Sequence, residues 1–133
     1  MDNYKIHITE KDYARIKSYI GSNTNDDFED LELELDRASI IADNEVPNNL
    51  VTMNSKIRYF DSKSNEESII TIVYPKDSNP RENKISVFAP LGSALIGLKQ
   101  NEEINWKFPN GETKNLKILE IIYQPEAAED WHL

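Results

Sequence analysis

The 133-residue sequence predicts an α+β fold: a short N-terminal antiparallel helical hairpin over residues 1–45, then an antiparallel sheet domain with one short helix over 46–133. Three observations carry this. The apolar residues repeat with a helical period before residue 45 and with a period of two after Pro47. The pair Asn110–Gly111 sits between two alternating runs, the strongest hairpin signal in the chain. The stretch PLGSALIGL, Pro90 to Leu98, is uncharged and reads as one turn of helix lying among strands.

The elements follow in order. HITEKDYARIKSYIG reads as a helix capped by Thr9, with Asp12 at the capping-box spacing in place of the usual Glu. Tyr13, Ile16 and Ile20 share one face, Tyr19 lies close by, and Gly21 offers a stop. After the polar break SNTNDD, a second helix carries the stripe Phe28, Leu31, Leu35 and Ala38, with Leu33 off it. Lys11, Arg15 and Lys17 on the first helix face a second helix rich in Glu and Asp. Helices this short are unstable alone, so the pair must lean on the rest of the chain. Then come TMNSKIRYFD and SIITIVYP around the turn SKSNEE, a further turn at Asp77 to Asn83, KISVFA, the PLGSALIGL turn, and the strands EINWKF and LKILEIIYQP.

Composition narrows the functional classes. Without cysteine there is neither a disulfide scaffold nor a thiolate site. No leader and no membrane span is expected, and a cytoplasmic location is the simple reading. The net charge is −9, and residues 1–45 hold 12 acidic against 5 basic side chains. That field opposes strong direct binding to nucleic acid and favours a basic patch on a protein partner.

The candidate sites are few. PLGSALIGL cannot be a phosphate loop, because Leu98 stands where a Walker loop has lysine. Its expected work is structural: Pro90 starts the helix, Ala94, Leu95 and Leu98 fill the concave side of the sheet, and the glycines allow close approach or a positive φ. Asp26, Asp27, Glu29 and Asp30 cluster near the tip of the hairpin. They suit a helix N-terminus and could hold magnesium only loosely. His7 and His132 lie at opposite ends of the chain, with His7 expected to be exposed beside the first helix. No catalytic residue, cofactor or resident metal is expected, and Asp61 and Asp77 read as turn-closing residues.

The segments LELELDRASII, VTMNSKIRYFD, ITIVYPKD, ISVFAPLGSALIGL and IIYQPEAAEDWHL resemble, in this order, the nucleoside diphosphate kinase regulators of the GreA/GreB family. The resemblance covers roughly residues 4 to 133. It implies an FKBP-like form for the sheet domain and bacterial RNA polymerase as the partner, approached near its secondary channel. In the Gre relatives the sheet domain grips the channel rim while a long coiled coil enters, its acidic tip helping to hold the catalytic magnesium. Pro90, Leu91, Gly92, Ser93 and Gly97 belong to the family's P-[IVL]-G-x-A-L-[IL]-G signature, implied to serve as core or docking surface. The hairpin is less than half as long as a Gre coiled coil. The resemblance therefore implies a monomeric, non-catalytic regulator at the channel mouth that competes with Gre-type factors and affects nucleoside diphosphate kinase indirectly. The alternatives are a factor that stimulates transcript cleavage by the polymerase and, from the FKBP-like form with Trp106 and Phe108 in a groove, a prolyl isomerase.

Overall fold

The computed structural model describes residues 6–22, 29–130 and 133, the side chains of residues 29 and 30 excepted. The architecture is α+β, a helical region set against a curled, largely antiparallel sheet. In chain order the elements are β1 (His7–Thr9), α1 (Glu10–Ser22), α2 (Glu29–Arg37), β2 (Ser39–Ile41), β3 (Lys56–Asp61), β4 (Glu66–Val73), β5 (Lys84–Ser86), α3 (Pro90–Leu95), β6 (Glu103–Lys107) and β7 (Thr113–Tyr123). Single 3-10 turns at Asp43–Glu45, Pro75–Asp77 and Pro80–Glu82 fill the connections.

The main sheet has the order β5-β4-β3-β7-β6. The β3–β4, β3–β7 and β6–β7 pairs are antiparallel, as the alternating runs predict. The edge strand β5 departs from that expectation and pairs in parallel with β4. The cause is the connection after β4, where two proline-led 3-10 turns carry the chain across before it re-enters at Lys84. Asn83 supports the re-entry with a φ of 58°, a left-handed conformation that asparagine tolerates. Two register shifts in the β3–β7 ladder bend the sheet. The Asn110–Gly111 turn forms between β6 and β7, with Gly111 at φ 88° and its N–H donated to the Phe108 carbonyl at 2.9 Å.

A second, smaller sheet has no counterpart in the sequence reading. β1 pairs in parallel with β2, His7 opposite Ser39 and Thr9 opposite Ile41. Three residues read as the start of helix one are thus a strand, and His7 is half-buried rather than exposed. A three-residue strand carries no periodic signal, and its partner lies some thirty residues away.

One apolar cluster joins both parts of the chain. Ile6, Ile8, Ile16, Leu31 and Leu35 meet Val51, Met53, Ile57, Ile72, Leu95, Leu98 and Ile118 within it. Leu31 and Leu35 are buried and Leu33 is half-exposed, so the α2 stripe faces the way its spacing predicts. Phe28 lies outside the described residues. Among the described residues no helix is long and apolar enough to cross a membrane.

Candidate functional site

The first turn of α1 is tied at several points to segments outside the helix. Thr9 is fully buried, and its Oγ1 accepts the Asp12 N–H at 3.0 Å, the cap read from the sequence. The Lys11 N–H is donated to Asp43 Oδ1 at 3.1 Å, and Lys11 Nζ donates to the Leu133 carbonyl at 2.6 Å. Asp12 itself is 2% exposed. Its Oδ2 accepts the backbone N–H of Met53 at 3.1 Å, and its Oδ1 accepts the Tyr74 hydroxyl at 3.1 Å.

A buried carboxylate without donors would be expensive, so this one must be met by fixed partners. Burial pushes the Asp12 carboxyl above its ordinary value; the Met53 N–H pulls the other way, and Glu126 adds a further upward push. Glu126 is itself held, its Oε1 accepting the Thr52 hydroxyl at 2.7 Å, with Ser55 Oγ 2.9 Å from the same hydroxyl. Burial also pushes the Tyr74 phenol strongly upward, reinforced by the charge of Asp12. The Arg15 guanidinium lies 5.8 Å from the centre of the Tyr74 ring. The sequence assigns Asp12 a capping role only; its membership in this network depends on residues 41 and 62 positions away.

The small-residue stretch divides into an inner and an outer side. Pro90 opens α3 and is exposed, and Leu91 is half-buried. Gly92 packs so tightly that an added Cβ would stand 2.2 Å from the Ser86 carbonyl oxygen. Ser93 donates its hydroxyl to the Val87 carbonyl at 2.7 Å. Gly97 takes a φ of 82° beside Ile6 and His7, where the His7 N–H reaches the Gly97 carbonyl at 3.2 Å. Ala94, Leu95 and Leu98 are buried, as their positions predict. Gly92, Ser93 and Gly97 therefore build the fold, while Pro90 is exposed and Leu91 packs partly against the core. The rings of Tyr19 and Phe88 stack at 4.5 Å, so α1 also touches the segment leading into α3.

The acidic cluster is only partly described. Asp26 and Asp27 lie outside the described residues, and Glu29 and Asp30 are the first two residues of α2. Lys17 of α1 donates to Asp36 of α2 at 3.2 Å, the cross-helix charge contact that the sequence anticipates. Among the described residues, no group of three or more His, Asp or Glu side chains is placed to hold a metal ion.

Residues 46–123 match the family model described as transcription elongation factor GreA/GreB, C-terminal. The chain belongs to the GreA/GreB family. Of the GreA/GreB relatives, a regulator of nucleoside diphosphate kinase from Escherichia coli K12 is 41% identical over 77% of this chain and 76% of its own. A transcription elongation factor GreA from Helicobacter hepaticus is 29% identical over 96% of this chain and 73% of its own. The solved structure of a prokaryotic GreA/GreB elongation factor from Nitrosomonas europaea superposes with a TM-score of 0.72 at 41% identity. It covers 90% of this chain and 100% of that one. The signature around Gly92 and Gly97 and all five main-sheet strands lie within the matched GreA/GreB region or run to its end.

Proposed function

We propose that this chain is a non-catalytic, cytoplasmic transcription regulator that binds RNA polymerase near its secondary channel and competes there with Gre-type factors. The sheet domain, residues 46–133, is read as FKBP-like and as the part that docks, through Pro90 and Leu91. Residues 1–45 are read as a short antiparallel helical hairpin whose acidic tip, Asp26, Asp27, Glu29 and Asp30, faces the channel. Control of nucleoside diphosphate kinase, named in the Escherichia coli relative, follows indirectly through transcription.

The observation that carries this reading is the rooting of a short helix in the family's sheet. α1 has 13 residues, which is about 20 Å at ~1.5 Å per residue. Asp12, through Met53 and Tyr74, and Lys11, through the Leu133 carbonyl, fix its first turn on the body that bears the signature. A stub of that length blocks a channel mouth but falls short of a metal deep inside. Its negative field complements a basic rim and opposes direct nucleic-acid binding.

Purified polymerase tests the proposal. The chain should bind it at low salt and be displaced by a Gre factor, and it should leave the transcript of a backtracked complex uncut. Transcript shortening would instead make it a cleavage-stimulating factor. Absence of binding at low salt removes the proposal altogether.

A further inference from the structure

The strand β6 ends the main sheet, and its outer edge is unpaired among the described residues. Which backbone groups point outward follows from the bonds at its two ends. The Glu102 carbonyl accepts the Ile118 N–H at 3.0 Å, and the Phe108 N–H is donated to the Glu112 carbonyl at 2.8 Å. Antiparallel bonding alternates with a period of two. Residues 104 and 106 therefore bond to β7, and the N–H and C=O groups of Glu103, Asn105 and Lys107 face away from the sheet. The side chains of these three residues are exposed, while Ile104 is 3% exposed and Trp106 packs against the core. No ion pair engages Glu103 or Lys107 among the described residues.

The sequence of this edge, Glu-Ile-Asn-Trp-Lys, is complementary to itself when reversed. We propose that β6 is a self-association strand, with a second copy of the chain as its occupant, paired antiparallel about a two-fold axis at Asn105. Centred there, Glu103 of each copy stands opposite Lys107 of the other, and Asn105 stands opposite Asn105. The outward N–H and C=O groups of all three residues then find partners. On the opposite face Ile104 meets Trp106 of the second copy. Both cross-strand charge pairs are attractive, whereas a one-residue slip would lose them and turn one face against the other. An unpaired edge is usually guarded by like charges or proline; here one charge of each sign sits at matched distance from the centre. The inference is independent of polymerase binding and rests on the backbone edge of β6, not on Pro90.

The test is sedimentation velocity of the full chain over a concentration series at physiological salt, where repulsion between two acidic copies is screened. A monomer–dimer equilibrium is expected. Lys107→Glu or Glu103→Lys alone places two like-charged pairs in the interface and should weaken the dimer about tenfold. The double reversal, Glu103→Lys with Lys107→Glu, should restore it. Asn105→Pro removes an outward N–H without breaking the β6–β7 ladder, and should abolish the dimer with little change in melting temperature. A chain that stays monomeric at every concentration overturns the proposal. So does a dimer indifferent to the single reversals, or a double reversal that fails to restore association.

Discussion

Asp12 Oδ2 accepts the backbone N–H of Met53 at 3.1 Å, so one carboxylate at the base of α1 fixes the helix to the chain just before β3. The Tyr74 hydroxyl completes the contact from the end of β4. Asp12→Ala should lower unfolding stability by about 3 kcal/mol, because the buried Met53 N–H and the half-buried Tyr74 hydroxyl each lose a partner at roughly 1–3 kcal/mol. Tyr74→Phe should cost only about 1 kcal/mol. Urea unfolding followed by tryptophan fluorescence measures both, and equal losses would contradict the network.

The same carboxyl sets a pH dependence. Its folded pKa is raised above the ordinary 3.8, chiefly by burial. The native state therefore binds this proton more tightly than the unfolded chain, and stability falls as pH climbs from about 3.8 through the raised value. Asp12→Asn removes the titration. The difference in unfolding free energy between wild type and Asp12→Asn should fall across that window and then level off. A difference that rises with pH would show that the donors outweigh burial.

Three glycines should respond differently to alanine. At Gly92 a Cβ would meet backbone at 2.2 and 2.9 Å, and at Gly97 it would meet Ile6 and His7 at 2.8 and 2.9 Å at a φ of 82°. Gly92→Ala and Gly97→Ala should each destabilise by about 1–3 kcal/mol through overpacking. Gly21 lies in α1 with nothing within 4 Å, so Gly21→Ala should stabilise by up to ~1 kcal/mol. Thermal melts rank the three.

The Tyr123 hydroxyl donates to Asp130 Oδ2, and that bond, with a smaller share from burial and nearby acidic charge, pushes its pKa up to about 12. The phenol keeps its proton because ionising it would set two negative oxygens together. Asp130→Asn should bring Tyr123 back toward the usual value near 10. Ring-proton NMR over an alkaline titration separates it from the other five tyrosines.

Replacing Asp26, Asp27, Glu29 and Asp30 by Asn or Gln should weaken competition with Gre factors at low salt more than at high salt, with the melting temperature nearly unchanged. The salt series separates residues that act through their charge from residues needed for folding. A large loss of melting temperature would assign these residues to the fold instead.

Much of the architecture was legible because it is written locally. The five main-sheet strands, the Thr9 cap, the proline-led turn at Pro90 and the exposure of Leu33 each follow from side chains a few positions apart. The Asn110–Gly111 turn is of the same kind, since a positive φ is a property of the residue that adopts it. So too was the family signature, which carries its meaning as a contiguous string.

Only the tertiary structure decided what depends on residues brought from far away. The parallel β1–β2 pair joins segments too short to announce themselves, and the turn of β5 into parallel register depends on how two 3-10 turns route the chain. Asp12 reads alone as a helix-capping residue; its burial arises because Met53 and Tyr74 arrive to hydrogen-bond it. The division has a physical reason. Backbone preference and apolar period act over one or two turns, whereas the satisfaction of a buried charge is settled only when the core closes around it.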